Sequence, residues 1–221
     1  MSARADPPPA ALVVARAPSA RGVDAPLQPL LGAERYAALR ALLIRRTAAW
    51  AAAAAPSAAF VAVEPAGAVG EVARLLPSGV SAFAQEGADP SEVLAAAIAR
   101  VGRGPLLIAA ADCPRLSADH AAAALDDLAA GCDVTIGATL EAGWYLAGLR
   151  EPRPELLTVA PEAWQRDGGI TLVLRRAREL GAEVGMLRYE RPLITPDDVA
   201  ALLADPLAPG DLRAALSSRA A

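Results

Sequence analysis

The tightest constraint on this chain lies between Pro105 and Arg150. An apolar run, Leu106 to Ala110, follows Gly104-Pro105 and leads straight into Asp112-Cys113-Pro114. A short unbroken apolar run between turn residues reads as a strand buried on both faces, as in parallel sheets. Asp112 then stands at the strand's carboxyl end, where open α/β sheets gather their ligands. Ser117 caps a helical run to about Ala130. Strands follow at Val134 to Thr139 and Trp144 to Leu149, with a second carboxylate, Glu141, between them.

The rest of the chain repeats this alternation. Strands are expected at Ala11 to Ala15, Ala58 to Val63, Val80 to Gln85 and Val184 to Tyr189. Helical periodicity runs over Gly32 to Ala54, Gly67 to Leu76, Pro90 to about Val101 and Gly169 to Leu180. Asp89-Pro90-Ser91-Glu92 has an acidic cap, proline at the first helical position and a glutamate three after the cap. Thr195-Pro196 and Asp211 open further helices. Residues 1–10 are expected to form a flexible, proline-rich tail, and 11–221 a single α/β domain. Its mostly parallel central sheet is flanked by helices on both faces, with a small antiparallel excursion near the sheet edge around Glu141.

Composition narrows the partners. The net charge is −4, so no basic field invites nucleic acid. No apolar stretch reaches the roughly 20 residues that cross a bilayer, and no secretory leader is visible, so a cytoplasmic protein is expected. Cys113 and Cys132 lack metal-ligand spacing and suit a reducing compartment. A single histidine, His120, excludes a histidine-cluster metal site, and any Ser-His-Asp triad would have to use it. Its place early in a helix beside Asp119 reads as a surface position. Alanine inflates the 54% hydrophobic fraction while aromatics are only 4%, so helices should pack closely on the sheet. An alanine-rich helix face left exposed is a candidate homodimer surface.

The passage Ala111 to Leu116 reads Ala-Asp-Cys-Pro-x-Leu, and Gly137 to Leu149 reads Gly-Ala-Thr-Leu-Glu-Ala-Gly-Trp-Tyr-Leu-Ala-Gly-Leu. In this register the chain resembles the nucleotide-diphospho-sugar transferase superfamily, of Rossmann-like glycosyltransferase-A fold. Within it the chain is similar to a small bacterial family of mostly uncharacterised glycosyltransferase-like proteins. The resemblance implies that Asp112 holds a divalent metal, Mg²⁺ or Mn²⁺, which would grip the diphosphate of a nucleotide-sugar or nucleotide. Glu141 stands where the family has aspartate, as an outer ligand or as a base toward an acceptor hydroxyl. Trp144 and Tyr145 offer ring faces to a sugar or acceptor. They alternate across a strand, so no more than one should reach ligand. Cys113 fits a small buried side chain rather than a nucleophile.

The phosphate-binding motifs are eroded. Where the family carries Lys-Thr-Arg, this chain has Asp24-Ala25-Pro26, leaving Arg16 and Arg21 as the nearby cations. The following Gln-x-Gly-x-Asp region survives as Gln85, Gly87 and Asp89, of which Gln85 and Gly87 are candidate nucleotide contacts. The closing Asp-x-Asp-Thr-Pro-Glu-Asp is Pro192-Leu193-Ile194-Thr195-Pro196-Asp197-Asp198, without its two leading aspartates. Asp89, Thr195 and Asp198 read as helix-start residues. Metal-assisted glycosyl transfer to an acceptor is the first functional expectation. The alternatives are nucleotidyl transfer resembling the phospholactate guanylyltransferases, and a degenerate homologue serving as a binding or regulatory module.

Overall fold

The computed structural model describes residues 7–20, 25–140, 143–158 and 169–217. Strands β1 (Ala10–Arg16), β2 (Ala59–Glu64), β3 (Val80–Ala84), β4 (Leu106–Ala110), β5 (Val134–Thr139), β6 (Trp144–Leu149) and β7 (Val184–Glu190) form one sheet. Their order is β3-β2-β1-β4-β6-β5-β7. Every neighbouring pair is parallel except those made by β6, which runs antiparallel to both β4 and β5. The antiparallel strand therefore lies inside the sheet. It was expected near the edge, but β7 pairs in parallel with β5 and takes that place. The short separation of β5 and β6 in sequence fixes only that those two strands are adjacent, and pairing with β4 decides the rest.

Both faces are covered, as the unbroken apolar strands require. On one face α2 (Ala33–Ala54), α3 (Val69–Ala73) and α5 (Ala118–Ala129) bury Ile44, Ala48, Ala51, Val72, Ala121 and Ala124 against Val13, Val61 and Leu146. On the other, α4 (Pro90–Val101) and α6 (Gly169–Glu179) bury Leu94, Ile98, Val101 and Val173 against Leu12, Ile108 and Ile136. A third cluster joins α1 (Gln28–Leu31) and the start of α2 to α7 (Pro196–Ala204) and α8 (Gly210–Ser217), through Leu31, Leu39, Leu43, Val199, Leu202 and Leu212. The one-turn helix α1 falls in a stretch whose prolines and glycine read as loop.

The helix starts obey their local chemistry. The Asp89 carboxylate accepts from the backbone N–H of Ser91 and Glu92, with Pro90 opening α4, and Gly102 closes it in the left-handed region. Thr195 and Asp198 cap α7 reciprocally. Glycine is required at Gly137, where any Cβ would strike the Tyr145 ring across the β5–β6 pair. No helix among the described residues is long and apolar enough to cross a membrane.

Candidate active site

The chain leaves β1 for β2 on one side and β4 for β5, beyond β6, on the other. Between the carboxyl ends of β1 and β4 the sheet therefore has its topological switch point, and a crevice opens there. An open cleft of about 280 Å³ occupies it. Its floor is Val14 and Ala110 to Asp112, and Arg16 stands at the end of β1. Tyr36, Leu39, Arg40 and Leu43 of α2 form one wall, and Leu193 and Ile194, just after β7, form another. The Leu193 N–H donates to the Asp112 carbonyl at 2.8 Å, which ties this wall to the floor.

Asp112 thus lies where its sequence position placed it. Burial raises its carboxyl pKa to about 6, its own backbone N–H opposes the rise, and the negative charge of Asp198 adds to it. A carboxylate tuned toward neutrality is suited to proton transfer. Cys113 points into the core at 3% exposure, and burial first, then nearby carboxylates, push its thiol up to about 12, so it is no nucleophile.

The cleft also holds a cation that the helical pattern concealed. Arg40 lines it, placing its guanidinium 5.5 Å from the Tyr36 ring centre and donating through Nη1 to the Ala20 carbonyl at 3.1 Å. Its Nη2 is shut off from solvent and has no hydrogen-bond partner among the described residues. Burial lowers its pKa, and Arg16 adds like-charge repulsion, against the attraction of Tyr36, Glu71 and Glu64. Arg16 itself pairs with Glu64 at 3.1 Å, both half exposed. The only signal for Arg40 in the sequence was a polar residue beside the apolar stripe of α2, which a solvated arginine gives equally well.

The other candidates lie elsewhere. Gln85 Nε2 donates to the carbonyls of Ala15 and Ala62 at 3.1 and 3.0 Å, holding together the ends of β1 and β2. A Cβ on Gly87 would come within 2.6 Å of the Val93 nitrogen, so glycine there admits the first turn of α4. Neither lines the cleft. Tyr145 is fully buried and donates from its hydroxyl to the Arg188 carbonyl at 3.0 Å, so it does not offer a ring face to ligand; Trp144 is half-buried against the opposite face. Arg21 and Glu141 lie outside the described residues.

His120, expected at the surface, is buried at 2% exposure. The Ser117 N–H donates to its Nδ1 at 3.1 Å, and Nε2 meets Glu190 Oε1 at 3.2 Å. Nδ1 thus accepts from the backbone, while Nε2 faces both the Glu190 carboxylate and the Arg188 Nε, 3.0 Å away. The Ser117 hydroxyl lies 2.9 Å from Nδ1, giving Ser-His-Glu connectivity, but it caps α5 and lies outside the cleft. This is a structural junction.

The described donors do not fit a resident divalent cation. A hard cation collects oxygen ligands, yet Asp112 is the sole carboxylate lining the cleft among the described residues. Leu193 and Ile194 face it from the wall, and Ile194 stands where the resemblance would supply aspartate. Asp198 is nearby, but its oxygens accept from Arg191, Ile194 and both the N–H and hydroxyl of Thr195. Burial raises the Asp198 pKa, and these bonds outweigh it and hold the group below the ordinary range.

Comparison with known proteins places this architecture. No match is found among the curated proteins. The chain is similar to a structure from Desulfovibrio desulfuricans G20 provisionally assigned as a nucleotide-diphospho-sugar transferase, with a TM-score of 0.76 and 20% identity over 94% of this chain and 93% of that one. It is also similar to 4-diphosphocytidyl-2C-methyl-D-erythritol synthase, with a TM-score of 0.55 and 15% identity over 90% and 98% of the chains. A third similar structure is CMP:2-keto-3-deoxy-manno-octonic acid synthetase complexed with CTP, with a TM-score of 0.53 and 14% identity over 90% and 99%. At such identities these likenesses establish the fold. The model of the family described as "Uncharacterized protein conserved in bacteria (DUF2064)" matches residues 47–162, more than half of the chain, including β2 to β6 and Asp112. The chain belongs to that family and carries the nucleotide-diphospho-sugar transferase fold.

Proposed function

We propose that this protein is a nucleotide-dependent transferase whose donor, a nucleoside diphosphate sugar, binds in the cleft between β1 and β4. The observation that carries the reading is the pairing of a half-buried carboxylate, Asp112, with two guanidinium groups, Arg16 and Arg40, at the switch point of the sheet. The arginines face the diphosphate. Asp112 takes the proton of the acceptor hydroxyl as the new bond from that oxygen to the anomeric carbon forms. The bond from the anomeric carbon to the diphosphate breaks, and the diphosphate departs with the electron pair. Glu141, in the segment after β5, and Trp144, half-buried at the start of β6, belong to the acceptor side of this proposal.

A second reading, nucleotidyl transfer, draws support from the CTP-bound synthetase of the same fold. Thermal denaturation against nucleoside diphosphates, nucleotide sugars and triphosphates separates the two. A ligand that binds only the native state raises Tm. Sugar nucleotides should give the larger shift and leave free nucleoside diphosphate once acceptor is added. A preference for triphosphate with release of pyrophosphate would favour nucleotidyl transfer. No shift with any nucleotide at millimolar concentration would sink both and leave a homologue that has lost its ligand.

A further inference from the structure

The first loop has Asp24-Ala25-Pro26 where the resemblance has Lys-Thr-Arg, yet the cleft is not without positive charge. Among the described residues Arg40, part-buried, forms no ion pair and its Nη2 has no hydrogen-bond partner. A desolvated guanidinium without an anion is costly, and such groups are normally paired. Arg16 stands in the same cleft, and its bond to Glu64 is a half-exposed surface pair of the kind worth little. The two cations repel each other. One anion bearing several oxygens would relieve that repulsion, compensate the Arg40 charge and draw Arg16 from Glu64. Planar guanidinium groups match phosphate oxygens with paired hydrogen bonds.

Resting on the nucleotide reading above, we propose that Arg40, with Arg16, binds the diphosphate of the ligand directly, and that this binding needs no divalent cation. The phosphate grip has moved from the loop after β1 to the second turn of α2. Asp24-Ala25-Pro26 is then tolerable, because the loop no longer carries the phosphate. Ile194, where the resemblance has an aspartate, is tolerable because the charge a metal would supply comes from side chains.

Inorganic pyrophosphate tests this without nucleotide or turnover. Titrated into the full-length protein in the presence of EDTA, it should raise Tm, and added Mg²⁺ should not strengthen the effect. Arg40→Gln should weaken pyrophosphate affinity at least tenfold, and Arg16→Gln should weaken it less. If Arg40→Gln fails to fold, Arg40→Lys keeps the charge and loses the paired hydrogen bonds, with weakening of several-fold expected. Binding that appears only with Mg²⁺ or Mn²⁺, or that survives unchanged in the Arg40 variants, overturns the proposal. In that case Arg40 only anchors Ala20, and nucleotide binding can still stand. Pyrophosphate binding lost in Arg40→Gln, together with no response to any nucleotide, keeps the anion site and sinks the transferase reading instead.

Discussion

Asp112 is held in the ionised state at a cost. Its pKa, ordinarily near 3.8, is raised to about 6, so between those values the native state holds more protons than the unfolded chain. The stability this contributes is complete below the unfolded value, is lost as pH climbs to about 6, and stays lost above it. Asp112→Asn should therefore raise the stability of the unliganded protein at neutral pH, by about 2 kcal/mol, while abolishing transfer. Urea unfolding at pH 5 and pH 7.5 checks this, since the gain should be larger at the higher pH. A variant less stable than the parent at pH 7.5 contradicts the burial of this carboxylate. Asp198 has the opposite sign. Its depressed pKa supplies stability that is present above the ordinary carboxylate value and lost as pH falls through the folded one. Asp198→Ala strips the α7 cap and should cost about 2–3 kcal/mol in equilibrium unfolding.

At the scale of elements, the start of α5 is a junction. His120 satisfies the Ser117 N–H and reaches Glu190 of β7, while Trp50 of α2 donates to the Ser117 carbonyl at 2.9 Å. His120→Ala removes two links together and should cost about 2–3 kcal/mol, measured by urea unfolding. Binding of pyrophosphate should survive it, because the junction lies outside the cleft. The limits of β4, β5 and β6 were legible in the sequence, since their residues are apolar and bounded by turns. So was the Asp89 cap of α4, because capping is local chemistry. The burial of His120 was not legible, because its partner is seventy residues away and only the β5–β7 pairing brings it close. The same reason hid the place of β6 between β4 and β5. Arg40 was hidden differently: periodicity shows only that it lies off the apolar stripe of α2, and the packing of that helix on β1 is what brings it to the cleft.

For the whole molecule, the fold and the site have separate sources. Alanine-rich faces and glycine at Gly137 close the helices and strands tightly, and this scaffold brings Asp112, Arg16 and Arg40 together from β4, β1 and α2. Gly137→Ala should destabilise by about 1–3 kcal/mol, since the added methyl meets the buried Tyr145 ring. Thermal denaturation checks it, and an unchanged Tm would show that the ring has room to move. The central claim is that a nucleotide occupies the cleft between β1 and β4. Hydrogen exchange read by mass spectrometry tests it most directly, with each of a panel of nucleotides and nucleotide sugars at millimolar concentration. The expected result is slowed exchange in the peptides carrying Val14 to Arg16, Tyr36 to Ile44, Ala110 to Asp112 and Leu193 to Ile194, with β7 unchanged. Protection confined to other segments, or none with any nucleotide, would contradict it.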